Sequence, residues 1–253
     1  MKLAIACGIN NLMSHVAKHY ETLLARHYTW MSGGLKAQCD QNRTFFRTHN
    51  IVAPANGIAV DLGCGSGFQS IPLAELGFHV IGIDTSETLL QELRANSEAL
   101  DIAPTPGDLL DFDVHCPEAV DLCVCMGDTL PHLATLNDVQ DLFEKVHTHL
   151  VPGGQFVLSF RDLTDELSRT ERFIPVRSDA NKIFTCFLEY NDDHVIVYDL
   201  VYERIDGFWN FHTSAYRKLR ITPDWVRTSL ERTGLTILHS KTENGLVVII
   251  AGK

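Results

Sequence analysis

The chain of 253 residues is 45% hydrophobic and 21% charged, values ordinary for a globular protein and compatible with one large α/β domain. Its formal net charge of −11 argues against a nucleic-acid partner and favours a small-molecule substrate, because nucleic-acid affinity depends mainly on cationic contacts to phosphates. No stretch approaches the ~20 apolar residues of a membrane span, Met1–Gly8 lacks a convincing signal-peptide cleavage site, and seven cysteines without a CxxC pair indicate reduced thiols in a cytoplasmic protein.

The first 50 residues predict an amphipathic helical cap. Apolar and aromatic side chains recur at helical spacing from Val16 to Leu24 and return at Phe45-Phe46. Between them, an aromatic cluster containing Tyr28 and Trp30 is followed by Gly33-Gly34, which is expected to break the helix. These two aromatic side chains either pack the cap onto the rest of the fold or face a ligand, and the sequence leaves both open.

A parallel sheet is predicted to start after the Asn56-Gly57 turn. Its first strand runs into a glycine loop in the stretch Val60-Asp61-Leu62-Gly63-Cys64-Gly65-Ser66-Gly67. A helix-period pattern follows, and a second apolar run, Val80–Ile83, ends in Asp84. A unit of strand, glycine loop, helix, strand and acid is typical of folds that hold a nucleoside at the carboxyl end of a parallel sheet. The glycines let a ligand approach bare backbone, and the acid can accept hydrogen bonds from both ribose hydroxyls.

The next units continue the alternation of helix and strand. A helix is predicted over Ser86–Leu100, with Thr85 or Ser86 as its N-cap. Ile102–Pro106 predicts a third strand, and its prolines favour a position at the edge of the sheet. This strand ends at Gly107-Asp108-Leu109.

A buried fourth strand is predicted over Val120–Cys125, and it leads into the segment Met126–Leu133. Residues just past the carboxyl end of a central strand face the ligand in open α/β sheets. A helix over residues 136–150 follows. Pro152-Gly153-Gly154 is expected to end this helix and to lead into a fifth strand, Phe156–Phe160.

Long β-rich runs replace the alternation in residues 181–220. We predict a three-stranded antiparallel insertion, formed by Ile183–Tyr190, Val195–Arg204 and Phe208–Arg220. A last helix starts with proline at its first position, and a terminal hairpin turns about Asn244-Gly245. We therefore predict a single domain over residues 1–253, with a helical cap (1–50) and a β-rich insertion on the substrate side (163–220).

The glycine spacing is G-x-G-x-G, with an acid, Asp61, two residues before the first glycine. It differs from the G-x-G-x-x-G of dinucleotide enzymes, whose helix start faces a pyrophosphate. Over residues 55–160, the chain resembles the class I S-adenosylmethionine-dependent methyltransferases in this motif, in Asp84 and in Gly107-Asp108-Leu109. The terminal hairpin agrees with the resemblance. The resemblance implies a Rossmann-like α/β sheet of strand order 3-2-1-4-5-7-6, S-adenosylmethionine as cofactor and S-adenosylhomocysteine as its product.

The resemblance also implies which residues hold the cofactor. Its aminoacyl end is expected against Asp61, Gly63, Gly65 and Gly67. Asp84 is expected to bind the ribose and Asp108 the adenine amino group. The other positions expected to border the cofactor are Cys64, Thr85, Leu109, Met126 and Gly127.

A narrower resemblance concerns the substrate side. Gly127–Leu133 is similar to the G-N-S-x-x-H-L segment of glycine N-methyltransferase and its relatives. Ser159–Leu163 is similar to the strand end that carries their substrate-binding arginine, and Arg161 is the matching position here. Asp128 stands where that group has Asn, so the resemblance implies an amine acceptor without implying glycine itself. The residues expected to serve methyl transfer are Asp128, His132, Arg161 and Tyr28.

Methyl transfer by in-line displacement depends mainly on orienting the nucleophile and excluding water. Asp128 is expected to align an amine and take up its proton, and His132 is a second candidate base. Each has a structural alternative: Asp128 could cap the following segment or contact the cofactor, and His132 could pack against adenine or cap locally. Arg161 could pair with Asp162 or Asp165.

Other functions stay open at this stage. A small-molecule O- or S-methyltransferase, a non-catalytic S-adenosylmethionine-binding protein and a nicotinamide oxidoreductase are the alternatives. Nucleic-acid methylation is disfavoured, because the N/D-P-P-Y/F/W motif of base-amine enzymes is missing where Met126-Gly127-Asp128-Thr129 stands. No metal is expected, since the cysteines have no metal-ligand spacing. The sequence does not decide whether the insertion residues Tyr202, His212 and Tyr216 reach the pocket.

Overall fold

The computed structural model describes residues 15–116 and 119–253, which form a seven-stranded sheet covered by helices and a second, four-stranded sheet. Residues 1–14 lie outside the described part, and with them the first part of the predicted cap. In the residues that are described, no helix combines the length and the apolar composition needed to cross a membrane.

Apolar strands of the glycine-loop half and of the terminal hairpin build the larger sheet. They are β1 Ile58–Leu62, β2 His79–Asp84, β3 Ile102–Pro106, β4 Val120–Cys125, β5 Leu150–Phe160, β10 Thr236–Glu243 and β11 Leu246–Gly252. Their order is β3-β2-β1-β4-β5-β11-β10. Strands β1 to β5 pair in parallel, and β11 pairs antiparallel with β5. The Rossmann-like order 3-2-1-4-5-7-6 is confirmed, with β10 and β11 in the places of strands 6 and 7.

Two apolar layers cover this sheet, because successive side chains of a strand face opposite sides. Val60 packs in a cluster with α6, α7 and α8, whereas its neighbour Ala59 packs in a cluster with α3 and α4. The helices are α3 Leu35–Thr48, α4 Ser70–Glu75, α5 Glu87–Asn96, α6 Phe112–His115, α7 Leu136–His149 and α8 Pro223–Arg232. The side-chain oxygens of Ser86 and Thr222 cap α5 and α8, which settles the N-cap alternative in favour of Ser86.

The segment Pro152-Gly153-Gly154 departs from the prediction. Helix α7 ends at His149 and β5 already begins at Leu150, so the segment lies inside the strand instead of before it. The register between β4 and β5 shifts here, and Gly153, with φ of 84°, donates its N–H to the carbonyl of Lys253 at 3.0 Å. Proline and glycine normally weaken a strand, and a local irregularity of this kind accommodates them.

The insertion has four antiparallel strands, so the prediction of three was wrong. They are β6 Phe173–Ser178, β7 Lys182–Tyr190, β8 His194–Ile205 and β9 Phe208–Leu219, paired in chain order. The strand that was missed, β6, is a short edge strand containing Pro175, and its register shifts between Pro175 and Arg177. Proline is tolerated at such an edge but removes the sequence signal for a strand.

Residues 15–31 of the cap form one helix with a π-helical turn in its middle, and α3 is the second helix of the described cap. The parts of the first helix are α1 His15–His19, the π-helical segment Tyr20–Leu24 and α2 Ala25–Met31. Leu23 and Leu24 pack against Phe184 and Val201 of the second sheet. As predicted, Gly33-Gly34 ends the helix, with φ of 97° and 100°. Because π-helical turns are frequent at functional sites, the region beneath this helix is a candidate site.

Candidate active site

A pocket opens at the carboxyl ends of β1 to β4, beneath the helix of residues 15–31. It encloses about 740 Å³, including the space at its mouth. The lining residues are Val16, Tyr20, Tyr28, Gly63, Gly65, Ile83, Asp84, Thr85, Leu89, Gly107, Asp108, Leu109, Gly127, Thr129, His132 and Leu133. The strand order reverses between β1 and β4, and such a switch point is where open α/β sheets bind ligands.

Two glycines of the loop bring bare backbone to the pocket. Gly63 and Gly65 have φ of 75° and 52°, in the left-handed region that favours glycine. A Cβ on Gly63 would lie 2.5 Å from Thr129 Cγ2, and one on Gly65 would lie 3.2 Å from the ring of Tyr28. A side chain at either position would fill the cradle, so the loop suits a ligand portion held against backbone.

Asp84, at the end of β2, orders this loop and faces the pocket. Its Oδ2 accepts a hydrogen bond from the Gly65 N–H at 2.8 Å, and its Oδ1 accepts one from the Ser86 N–H at 2.8 Å. Burial raises the pKa of this carboxyl. A carboxylate oxygen can accept more than one hydrogen bond, so both oxygens can also receive ribose hydroxyls, which fits the predicted role.

Asp108 and Leu109 line the wall where β3 ends. Asp108 caps a short 3-10 helix, since its Oδ1 accepts a hydrogen bond from the Leu110 N–H at 2.9 Å. Its second oxygen can accept from an exocyclic amino group, which fits the adenine end of the cofactor.

Some of the predicted cofactor residues lie behind the lining: Asp61, Cys64, Gly67 and Met126. The carboxylate of Asp61 accepts a hydrogen bond from Ser70 Oγ at 2.6 Å, and burial raises its pKa to about 7. A Cβ on Gly67 would lie 2.4 Å from Leu93 Cδ1, so this glycine lets α5 pack closely against the loop. These residues shape the loop from behind instead of bordering the pocket.

Hydrogen bonds to the carboxylate of Glu21 hold the N-terminal helix over the pocket. Glu21 accepts hydrogen bonds from Ser86 Oγ at 2.5 Å, Thr88 Oγ1 at 3.1 Å and the Thr88 N–H at 3.3 Å. A carboxylate at the start of a helix is favourable because the unpaired N–H groups there carry partial positive charge. Further along, the Tyr28 ring stacks on Phe68, with centroids 5.2 Å apart and planes at 12°.

The two aromatic residues left open by the sequence have different environments. Tyr28 lines the pocket, and burial raises the pKa of its hydroxyl. Trp30 instead donates its indole N–H to Asp179, in the turn between β6 and β7, at 2.7 Å, and Lys182 and Arg177 lie over its ring. Trp30 therefore packs the cap onto the insertion.

An aromatic wall stands opposite the glycine loop. The His132 ring stacks on Tyr216, with centroids 5.3 Å apart, and meets Tyr20 edge-on at 5.8 Å. Burial, with the nearby Lys218 and His19, lowers the pKa of His132 well below its usual value, so the imidazole is neutral at pH 7. Its Nδ1 is buried and has no hydrogen-bond partner within the described residues.

Asp128 is held by cations behind this wall. It adopts φ of 74°, and its Oδ1 accepts a hydrogen bond from the Arg161 N–H at 2.8 Å. Its Oδ2 forms a buried ion pair with Lys218 Nζ and lies 3.5 Å from Arg161 Nε. Protein groups thus engage both carboxylate oxygens, and the geometry favours Asp128 as a positioning residue for the two cations over the predicted role as proton acceptor.

A second buried polar group joins the N-terminal helix to the insertion. His19 Nε2 lies 2.8 Å from Asp199 Oδ2, and both side chains are 1% exposed. The Cys186 thiol donates to Asp199 Oδ1 at 3.1 Å. The His19 ring also packs on Tyr216, with centroids 4.4 Å apart. The wall of the pocket therefore depends on contacts between the helix and the second sheet.

Sequence reasoning did not identify Tyr20 and Lys218, and it left Tyr216 open. A signal for Lys218 did exist: strand alternation places it on the same face as Tyr216, and both side chains are buried. A lysine on the buried face of a strand requires an anionic partner. Nothing in the sequence showed that this partner would be Asp128, ninety positions earlier.

Comparisons with known proteins agree with this geometry. A family model described as a methyltransferase domain matches residues 59–154. A putative methyltransferase, YqeM, of Bacillus subtilis is 37% identical over 105 residues, which is 40% of this chain and 41% of that protein. Glycine N-methyltransferase of Rattus norvegicus is 26% identical over 182 residues, which is 64% of this chain and 62% of that enzyme.

The described fold also resembles solved structures. An S-adenosylmethionine-dependent methyltransferase from Clostridium acetobutylicum superposes with a TM-score of 0.70 at 18% identity, over 94% of this chain and 97% of that one. The matched region spans less than two thirds of the length of YqeM and of the rat enzyme. Residues 59–154 thus match a methyltransferase domain, and the described chain has the fold of a solved S-adenosylmethionine-dependent methyltransferase, with its pocket at the switch point of the sheet.

Proposed function

We propose that this protein transfers the methyl group of S-adenosylmethionine to the nitrogen of a small-molecule amine by in-line displacement. The observation that carries the proposal is a single pocket with two unlike walls. One wall offers bare glycine backbone and the acids Asp84 and Asp108, and the other offers the uncharged rings of Tyr20 and His132. When bound, the cofactor supplies a methyl carbon that its sulfonium makes electrophilic.

The first wall is proposed to hold the cofactor. Asp84 would accept hydrogen bonds from the ribose hydroxyls, and Asp108 would accept one from the adenine amino group. The backbone around Gly63 and Gly65 would receive the aminoacyl end. Asp61 and Gly67 would act indirectly, by fixing the loop from behind.

The second wall is proposed to hold the acceptor. Transfer to a neutral amine disperses positive charge, so the chain has only to orient the nitrogen and exclude water. His132 is neutral at pH 7, and its Nδ1 has no hydrogen-bond partner in the part of the chain that the structure describes, which suits a hydrogen bond to the amine. The nitrogen lone pair would form the new bond to carbon as the carbon–sulfur bond breaks, and the resulting ammonium would release its proton to water.

The charges next to this wall favour an acceptor that also carries an anionic group. Lys218 and Arg161 both approach the carboxylate of Asp128 and bring two positive charges close to this wall. The Arg161 side chain is 58% exposed, and a guanidinium can bind a carboxylate through two parallel hydrogen bonds. The similarity to rat glycine N-methyltransferase supports an amine acceptor.

The test is a methyl-transfer assay with labelled S-adenosylmethionine over a panel of amines, thiols, alcohols and carboxylates. Each amine is offered with and without a carboxylate. We expect label on the amines, with faster transfer to those that carry the carboxylate. His132→Gln should slow transfer, whereas His79→Gln, at an exposed histidine outside the pocket, should not.

Three results would overturn parts of this proposal. Transfer to thiols or alcohols alone would contradict the amine acceptor. Calorimetric binding of S-adenosylhomocysteine without transfer to any acceptor would indicate a binding module. Binding of NAD in place of S-adenosylhomocysteine would indicate an oxidoreductase.

A further inference from the structure

We propose that His49, His239 and Glu243 form a binding site for a divalent transition-metal ion such as Zn²⁺, separate from the pocket described above. One donor atom from each residue lies within 4.8 Å of the other two. Over residues 15–116 and 119–253, this is the one group of three histidine, cysteine or acidic side chains with that property. Imidazole nitrogen and carboxylate oxygen are preferred donors for Zn²⁺.

The end of α3 fixes the first ligand. His49 is the C-cap residue, and Asn50 follows it with φ of 55°. The Ile51 N–H bonds to the Phe46 carbonyl at 2.9 Å, and the Asn50 N–H bonds to the Arg47 carbonyl at 3.2 Å. This pair of hydrogen bonds is the Schellman arrangement, so the backbone that carries His49 is held at both sides.

A β-bulge directs the second ligand to the same place. Ile237 pairs with Ala251, but His239 pairs with Ile250, so the register shifts by one residue between them. Ala251 belongs to the apolar layer under α7 and α8, whereas Ile250 belongs to the layer under α3. Without the bulge, His239 would share the face of Ile237. The extra residue turns His239 towards α3, and bulges often re-aim a side chain in this way at functional positions.

The third ligand follows on the same face of β10. Glu243 lies four residues after His239, and its Oε1 is 3.0 Å from His239 Nε2. The His49 and His239 rings meet with centroids 4.5 Å apart at an angle of 65°. The His239 side chain is 20% exposed and that of Glu243 is 36% exposed. The three donors therefore form a half-buried cluster that an ion from solvent can enter.

The spacing of the donors needs only a small adjustment. Bonds of ~2.0–2.2 Å from a tetrahedral Zn²⁺ place its ligand atoms roughly 3.4 Å apart. Side-chain rotations that move the donor atoms by about 1 Å would bring the three donors to this spacing. Three protein ligands leave the fourth position for water. Because the ligands come from α3 and from the edge strand β10, an ion bound there would link the two and stabilise the folded chain.

The test uses the full-length protein after removal of metal with a chelator. Zn²⁺ is titrated in competition with a chromogenic chelator, and Co²⁺ is added separately to record its absorption spectrum. We expect one tightly bound equivalent of Zn²⁺, a Co²⁺ spectrum without thiolate charge transfer, and a Tm that rises with Zn²⁺. His49→Ala and His239→Ala should each weaken Zn²⁺ binding at least about a hundredfold, because even outer-shell partners of metal ligands are worth about ten- to a hundredfold. Glu243→Gln should also weaken it.

The matched control is His79→Ala, because His79 also pairs with a carboxylate, that of Asp101 at 2.7 Å, but has no third ligand. We expect this variant to bind Zn²⁺ as the unchanged protein does. Circular dichroism of each metal-free variant verifies that it is folded. Absence of saturable Zn²⁺ binding, unchanged affinity in the His49→Ala/His239→Ala double variant, or an equal loss in His79→Ala would each overturn the proposal. These outcomes are independent of methyl transfer.

Discussion

The two walls of the pocket are built in opposite ways. The wall proposed for the cofactor comes from short segments that each follow a strand of the parallel sheet, such as Gly63-Cys64-Gly65 and Asp84-Thr85. The wall proposed for the acceptor joins distant parts of the chain: Tyr20 of the N-terminal helix and His132 of the segment after β4 line the pocket, and Tyr216 of β9 stacks on His132 from outside the lining. The first wall is local in sequence, and the second depends on tertiary packing.

The two walls also differ in the interactions that stabilise them. On the cofactor side, backbone N–H groups bond to the carboxylate of Asp84, so strand ends and loop support one another. On the acceptor side, a buried ion pair between Asp128 and Lys218 holds the segment after β4 to the second sheet. A buried ion pair stabilises only while both partners are present, because an unpaired buried charge is strongly unfavourable. The acceptor wall should therefore be the more sensitive to a single substitution.

Replacing Lys218 with Met should produce the largest effect, because it removes one partner of the buried ion pair in the acceptor wall. The change leaves the Asp128 carboxylate buried with Arg161 as its remaining cation. We expect the free energy of unfolding to fall by about 3 kcal/mol, at the lower end for a broken buried ion pair. Urea denaturation monitored by circular dichroism measures it.

Two further variants test whether the loss of stability comes from the unpaired buried charge. The double variant Lys218→Met/Asp128→Asn should recover most of the loss, since the charge left at Arg161 is 58% exposed and Asn tolerates the left-handed backbone at position 128. Lys36→Met, which removes an exposed ion pair with Asp40, should change stability by less than about 1 kcal/mol. Equal losses in Lys218→Met and Lys36→Met would show that the acceptor wall is no more sensitive than the surface.

The pH dependence of the free energy of unfolding tests the role of Asp61, which lies behind the cofactor wall. Its folded pKa is raised to about 7 from 3.8, so between these values the folded chain retains a proton that the unfolded chain has released. Stability must therefore fall as pH rises through this window. Asp61→Asn lacks this contribution, and its free energy of unfolding relative to the wild type should increase by about 2.5 kcal/mol between pH 5 and pH 7.5. Denaturation curves at the two pH values test this, and a constant difference would contradict it.

The cofactor wall was largely predictable because its residues follow from strand ends. Apolar runs and turn residues placed Asp84, Asp108 and the loop glycines at strand ends, whereas their roles towards the cofactor came from the resemblance to the methyltransferases. What the sequence could not separate was lining from support: Asp61 and Gly67 belong to the same motif as Gly63 but lie behind it. That distinction depends on which neighbour, Ser70 or Leu93, packs against each residue.

The acceptor wall was predictable only where it coincides with a strand end. His132 was identified after β4, but its contact with Tyr216 depends on how β9 lies against the N-terminal helix. Asp128 was identified as well, yet its interpretation as a base did not anticipate Lys218. Contacts across this many residues depend on the arrangement of the second sheet, whose strand count was also predicted wrongly.

Asp84→Asn tests ligand binding on the cofactor wall. The variant loses charge-assisted hydrogen bonds to the ribose while keeping one oxygen acceptor. We expect affinity for S-adenosylhomocysteine to fall about thirtyfold, which is about 2 kcal/mol and within the range for hydrogen bonds to charged groups. Isothermal titration calorimetry measures it. Asp193→Asn, at an exposed acid in the turn between β7 and β8, is the control and should bind normally; unchanged affinity in Asp84→Asn would sink the assignment of the ribose site.

Glu21→Gln should give the smallest effect, because it touches only the connection between the two walls. Glu21 fastens the N-terminal helix, which carries Tyr20, to the start of α5 beside the cofactor wall. Losing its charge at a helix start should cost about 1 kcal/mol and speed release of S-adenosylhomocysteine about fivefold, with the unfolding free energy lowered by no more than that. Stopped-flow displacement measures the release.

Glu87→Gln is the matched control, since Glu87 lies in the first turn of α5 but pairs with Arg94 instead of the cap. Equal release rates in the two variants would mean that the helix does not retain the ligand and that the two walls act independently.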